Sequence, residues 1–168
     1  MNSRFLRSAC TAFVLGILLV LTTAPLAFAC VDMPLHRFYN AKRGVHFYTS
    51  SDAEKADVIK NLASLYRYEG VGYTVSDAGD RPVYRFYNMK TGAHFYTASV
   101  AEKHQVIDKL SDTYKFEGVG YYISSSTPPV YRFFNRKTGV HFYTASETEK
   151  ANVIAGYSAT YAYEGLAY

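Results

Sequence analysis

Tryptophan is absent from the 168 residues, cysteine occurs only twice and proline five times. The missing indole removes the usual stacking platform for sugars, so any such platform must be built from tyrosine or phenylalanine. Two cysteines cannot make a disulfide framework. One of them, Cys10, falls in a segment expected to be removed, which leaves Cys30 alone and makes stability a matter of an ordinary core. Charge of one sign is lacking too. The formal net charge is +4, and losing Arg4 and Arg7 with that segment leaves +2. Such a weak, scattered excess points to neither nucleic acid nor an anionic membrane as the main partner.

The segment in question opens the chain. Arg4 and Arg7 precede an apolar run over residues 9–21, and Ala27 and Ala29 flank Phe28 in a small-x-small triplet. This pattern predicts a secretory signal peptide over 1–29, cleaved after Ala29. Thr22, Thr23 and Pro25 interrupt the run and argue against an uncleaved membrane span. Cleavage would place Cys30 at the new N-terminus, where lipidation is the alternative to free secretion, although bulky Phe28 fits a lipoprotein signal poorly. The product, 30–168, is expected to be one extracellular domain that meets a membrane only through a lipidated Cys30.

What fills that domain is tyrosine, with 17 copies, all of them after residue 29, beside 8 of the chain's 11 phenylalanines. Self-comparison explains the number. Residues 35–73, 83–121 and 130–168 are three gapless copies of one 39-residue unit; the second reads VYRFYNMKTGAHFYTASVAEKHQVIDKLSDTYKFEGVGY. The linkers TVSDAGDRP and YISSSTPP are short and turn-rich.

Each unit parses alike. A strand (83–88 in the second copy), the loop MKTG and another strand (93–98) predict a hairpin. An even loop sets Asn88 opposite Ala93, Phe86 opposite Phe95, Tyr87 opposite His94 and Arg85 opposite Tyr96. Ser51, Ser99 and Ser146, each followed three residues later by Glu54, Glu102 or Glu149, predict a capping box in which the hydroxyl and the carboxylate each satisfy a free N–H. The helices behind carry one apolar stripe each: Val58, Ile59 and Leu62, then Val106, Ile107 and Leu110, then Val153, Ile154 and Tyr157. A third extended segment follows, with a bulge or bend expected at Gly70, Gly118 and Gly165. A single unit cannot bury both its Phe face and its helix stripe, so the three must share a core. The expected fold is α+β: three ββαβ-type repeats with one helix each, in a pseudo-threefold, closed, β-trefoil-like arrangement that removes sheet edges.

Phe38, Phe86, Phe133, Phe47, Phe95 and Phe142 are expected in the core. The other face of each ribbon carries Arg37, Tyr39, His46 and Tyr48; Arg85, Tyr87, His94 and Tyr96; and Arg132, Phe134, His141 and Tyr143. Arg opposite Tyr suits a cation–π contact. Three readings stay open. The residues could pack against the helix or the next repeat, with Glu69, Glu117 and Glu164 as partners of the arginines. They could floor a cleft in which tyrosines stack on sugar rings while Arg, His and Glu read hydroxyls or acidic groups, three copies adding avidity. Or His46, His94 and His141 could converge on a zinc ion, backed by the same glutamates. No catalytic residue, metal or cofactor is expected, because acid–base or nucleophilic sites need an asymmetry the repeats lack. His36 and His104 depart from the repeat and are expected at the surface.

The signature YRFYN, TG, HFYT, AEK and YEGVGY resembles a family of secreted tyrosine-rich repeats of uncharacterised function found in bacteria and fungi. That resemblance covers nearly all of 30–168 and implies an accessory module of the kind attached to exported hydrolases and cell-surface proteins. Arg43 replaces the turn Thr of the first unit, His36 its first Tyr, and Phe134 a Tyr of the third, which would make the middle repeat the strongest binder. The expectation is therefore a non-catalytic extracellular module that binds a glycan or cell-wall polymer through its Arg/Tyr/His faces. A structural or protein-interaction module is the alternative.

Overall fold

A computed structural model describes residues 31–77 and 79–168; the expected signal segment, Cys10 and Cys30 lie outside the described residues. The elements run β1 (Asp32–Asn40), β2 (Val45–Thr49), α1 (Asp52–Asn61), β3 (Arg67–Ser76), β4 (Arg81–Asn88), β5 (His94–Thr97), α2 (Val100–Lys109), β6 (Tyr114–Ile123), β7 (Tyr131–Asn135), β8 (Val140–Thr144), α3 (Glu147–Tyr157) and β9 (Tyr161–Leu166). Each repeat is thus two hairpin strands, a helix and a third strand, in the order expected.

The hairpin register follows from the turn. In repeat 2, the Asn88 side chain accepts from the N–H groups of Lys90 and Thr91, both at 3.0 Å, and Gly92 takes φ +72°. This turn closes the ribbon with Phe86 opposite Phe95, Tyr87 opposite His94 and Arg85 opposite Tyr96. The third strand of each repeat pairs antiparallel with the first and carries the expected bulge. Arg37 faces Gly70 while Phe38 faces Tyr68, so Glu69 is the extra residue; Glu117 and Glu164 stand likewise. Gly70, Gly118 and Gly165 adopt φ of 94°, 97° and 95°, a region that side chains disfavour.

The strands do not close into a barrel. Repeats 1 and 2 share one antiparallel sheet, β2-β1-β3-β6-β4-β5, joined through the single pair Ser76 and Tyr122, and repeat 3 keeps its own sheet, β8-β7-β9. The expected β-trefoil-like closure is therefore replaced by another device. The Tyr96 hydroxyl donates to the Tyr48 carbonyl (2.7 Å) and accepts from the Tyr48 N–H (3.1 Å). Tyr143 does the same for Tyr96 (2.8 and 3.0 Å), and Tyr48 for Tyr143 (2.7 and 3.3 Å). Strands β2, β5 and β8 thus meet edge to edge through phenols. Unpaired buried backbone groups are costly, and one hydroxyl per strand serves both. The three rings stand nearly perpendicular to one another, at interplanar angles of 85–90°.

The core is layered around this cycle. Tyr73, Tyr121 and Tyr168 join their hydroxyls on one side of it, and Val45, Ala93 and Val140 pack together on the other. The six phenylalanines of the hairpins are buried as expected, but in three separate local cores. In the first, Phe38 and Phe47 lie under Val58 of α1. The helices contribute less than their stripes suggest: Ile59, Ile107 and Ile154 are 45%, 38% and 45% exposed. The central core that the repeats share is built from the tyrosine face, whereas the phenylalanines pack mainly beneath the helix of their own repeat.

Two helix-start expectations divide. Ser51, Ser99 and Ser146 do accept from the N–H groups of Glu54, Glu102 and Glu149, at 3.1–3.2 Å. The carboxylates do not reach back, because Thr49, Thr97 and Thr144 already accept from the serine N–H groups, each at 3.0 Å. His36 is also corrected: it is 2% exposed, its ring between the Tyr68 hydroxyl (2.9 Å) and Asp52 (3.2 Å), whereas His104 is exposed.

Tyr96→Phe should cost about 1–3 kcal/mol of unfolding free energy, since it strands a buried N–H and C=O on Tyr48. Tyr87→Phe should cost less than about 0.5 kcal/mol, because repeat 3 already holds Phe134 there. Urea unfolding followed by far-UV circular dichroism measures both, and equal costs would refute the hydroxyl cycle.

Candidate functional site

The bulge decides where the first charged residue points. By adding a residue to β3, β6 and β9, it turns Glu69, Glu117 and Glu164 toward the arginine of the same repeat. The Nε atoms of Arg37, Arg85 and Arg132 meet them at 3.1, 2.9 and 2.8 Å. The Nη1 of each then crosses to the preceding repeat in cyclic order: Arg37 to Glu149, Arg85 to Glu54 and Arg132 to Glu102, each at 2.9 Å. The carboxylates expected to cap helices instead tie repeats together. With the guanidinium groups so engaged, the expected cation–π contact with the facing tyrosine is not made. Arg67 lies over Tyr39 instead, 5.6 Å from its centroid.

The histidines follow the same cyclic pattern. Nε2 of His46, His94 and His141 lies 3.2, 3.3 and 3.3 Å from Glu69, Glu117 and Glu164. Each ring packs on a phenylalanine of the preceding repeat: His46 on Phe142, His94 on Phe47 and His141 on Phe95, at 4.9–5.1 Å. They are therefore not brought together, and no cluster among the described residues offers three metal-ligating side chains. Burial lowers His46 to about 4 despite Glu69, and it lowers His141 as well, so both imidazoles are neutral at neutral pH. Burial pushes the Glu69 and Glu102 carboxyls up, but hydrogen bonds and neighbouring charges, led by Arg67 and Arg132, together outweigh it and hold both below their ordinary value. For Glu117 the His94 hydrogen bond leads in the same direction.

Measured against the expected sugar face, the residues separate into two groups. Tyr48, Tyr96 and Tyr143 are 1%, 0% and 1% exposed and present no ring face to a ligand, because their hydroxyls are committed to the neighbouring strand. Arg37, Arg85 and Arg132 keep only 19–21% of their side chains exposed and are saturated by glutamates. What remains accessible lies at the junctions between repeats.

There the structure forms grooves. The first, about 290 Å³, has Tyr39, His46, Arg67 and Glu69 of repeat 1 on one wall. Glu149, Tyr157 and Tyr161 of repeat 3 form the other, over Phe142 and Val153. An equivalent groove between repeats 2 and 3, about 190 Å³, is lined by His141, Phe95, Glu102, Gln105, Leu110 and Tyr114. It has Leu110 where the first has Tyr157, and Ala162 at the position of Arg67. Of these two equivalent grooves, the larger and more aromatic belongs to the first and third repeats and not to the middle one, the repeat whose sequence keeps every Tyr of the pattern. Neither Tyr161 nor Arg67 carries a site signal in the repeat pattern, and Tyr157 carries one only by its difference from the other helices. Its spacing puts Tyr157 in the helix stripe, but a Tyr where the other repeats have Leu62 and Leu110 is a usable signal.

A family model described as a domain of unknown function (DUF5648) matches residues 23–124 and, overlapping, 82–168. Two overlapping matches agree with a repeated domain. No curated protein and no solved structure matches the chain.

A pH dependence follows from the buried imidazole. Between about 6.5 and about 4 the unfolded chain binds a proton at His46 that the folded chain refuses, so stability is full above this window and falls as pH drops through it. The lowered carboxyls of Glu69, Glu102 and Glu117 add their loss only below 4.5. Urea midpoints measured from pH 7 to 4 should decline, and His46→Gln should make the decline above pH 4.5 shallower, leaving the share of His141. An unchanged slope in that variant would contradict the assignment.

Proposed function

We propose that this chain, which belongs to the family described as a domain of unknown function (DUF5648), is a secreted, non-catalytic module that binds carbohydrate in the grooves between its repeats. The observation that carries the reading is the first groove: Tyr39, Tyr157 and Tyr161 from two repeats border one open cleft with an arginine and two glutamates. Aromatic faces suit the apolar faces of a pyranose, and charged donors and acceptors suit its hydroxyls. Glu69 and Glu149 both pair with Arg37, and His46 is neutral, so the groove carries little net charge and favours a neutral sugar.

Glycan or cell-wall polymer is thus the partner class, with the ligand-binding face moved from Tyr48, Tyr96 and Tyr143 to the junctions. Repetition of the groove would supply the avidity that weak single contacts need. On the same reading the repeats stand about a pseudo-threefold axis, and export through the segment before Cys30, free or lipid-anchored, delivers the module to the cell exterior. A protein-interaction module is the second reading. One observation favours it: each repeat exposes the same apolar trio, Ile59, Tyr68 and Val71 in the first, all at least 38% accessible.

Binding of the purified chain to an array of glycans and cell-wall polysaccharides tests the proposal, run beside a Tyr39→Ala, Tyr157→Ala double variant whose near-UV circular dichroism is native. The double variant should lose roughly tenfold or more in affinity for whatever the native chain binds. No signal from the native chain on any glycan would move the weight to the protein-partner reading.

A further inference from the structure

The net charge of the chain hides how the fold sorts it. The three hairpin turns, NAKRGV (40–45), NMKTGA (88–93) and NRKTGV (135–140), contain Lys42, Arg43, Lys90, Arg136 and Lys137 and no acidic residue. Packing of Val45, Ala93 and Val140 gathers them at one end of the molecule. Arg43 ties two of them directly: its Nη1 donates to the Thr91 carbonyl at 2.9 Å and occupies the space a side chain at Gly92 would need. All five cations are exposed, and among the described residues none takes part in an ion pair.

The surroundings do not cancel this charge. Residues 110–114 and 157–161, which hydrogen-bond to the second and third turns, bring one acid, Asp112. Lys115, opposite Tyr87, adds a cation one residue above the second turn. At the far end of β1, nine residues long and so about 25 Å away, stand Asp32, Asp77 and Asp80 against Arg81. The excess that reads as scattered along the sequence is concentrated at one pole.

The geometry points to this turn end as an anion-binding face whose partner is an anionic polysaccharide, a chain of sugars bearing carboxylate or sulfate groups. Lysine and arginine on flexible stems supply spaced point charges, which is what such a chain requires. The turns hold no aromatic side chain on which a nucleobase could stack, and Met89 is their one large exposed apolar group, too little to anchor in a bilayer. The face is distinct from the inter-repeat grooves and rests on none of their residues.

Retention of the purified chain on immobilised polygalacturonate, with neutral dextran alongside, is the test. The native chain should be held at low salt and released as salt rises. The combined Lys42→Glu, Lys90→Glu and Lys137→Glu variant should lose about tenfold or more in affinity, and the matching Gln variant should fall between it and the native chain. Lys55→Glu, Lys103→Glu and Lys150→Glu together, the same charge change on the helices, should leave binding unchanged, with near-UV circular dichroism verifying the fold of every variant. Failure of the native chain to bind, or equal losses in the turn and helix variants, would overturn the proposal. Tighter binding of duplex DNA or of phosphatidylserine vesicles than of polygalacturonate at the same salt would overturn the choice of partner. The turn variants should keep any neutral-glycan binding and the groove variant any polygalacturonate binding, so the two readings fail separately.

Discussion

A phenol is the only neutral aromatic side chain that can donate and accept through one atom, and this fold uses that property to finish three sheet edges at once. Strands β2, β5 and β8 each present one N–H and one C=O, from Tyr48, Tyr96 and Tyr143, toward the centre, where water is excluded. Left open, those groups would impose a desolvation cost on every repeat. A β-ladder between the edges would satisfy them but would require the strands to lie side by side in one continuous barrel. The hydroxyl does it across the width of a ring instead, which allows two separate sheets and fixes the distance between them. The layers of Tyr73, Tyr121 and Tyr168 and of Val45, Ala93 and Val140 then have only one spacing to fill.

The charged residues form an outer version of the same cycle. An arginine held by its own bulge glutamate and by the helix of the preceding repeat is bound at both ends of its fork, a geometry lysine could not reproduce. Such partly buried pairs contribute less to net stability than to register, since desolvation offsets much of their attraction. Their effect on function is indirect. By saturating Arg37, Arg85 and Arg132, they leave the groove walls to the residues that differ between repeats, which is why the first junction is richer in tyrosine than the one between repeats 2 and 3.

Much of this was legible in the sequence where the governing interaction is local. The hairpin register and the capping serines each depend on neighbours within about ten residues, and the repeat boundaries and bulge glycines are visible because they recur three times. What escaped depends on the next repeat. Tyr48, Tyr96 and Tyr143 share an alternating face with arginines and histidines, and a face so polar reads as accessible. Nothing within one unit shows that a second unit buries it. Glu54, Glu102 and Glu149 satisfy a helix-start pattern so well that their bond to a distant arginine has no separate signature. Charge is the same case: a weak total says nothing about polarity until the turns are seen to meet.

The hydroxyl cycle also sets a copy number. Each phenol reaches one neighbour and is reached by one, and with the rings nearly perpendicular the cycle closes after three steps. Two units would leave one hydroxyl and one strand edge without a mate, and four could not bring opposite rings into contact without opening a hole at the centre. Gene duplication within this architecture therefore cannot grow it by single units as it grows an open solenoid.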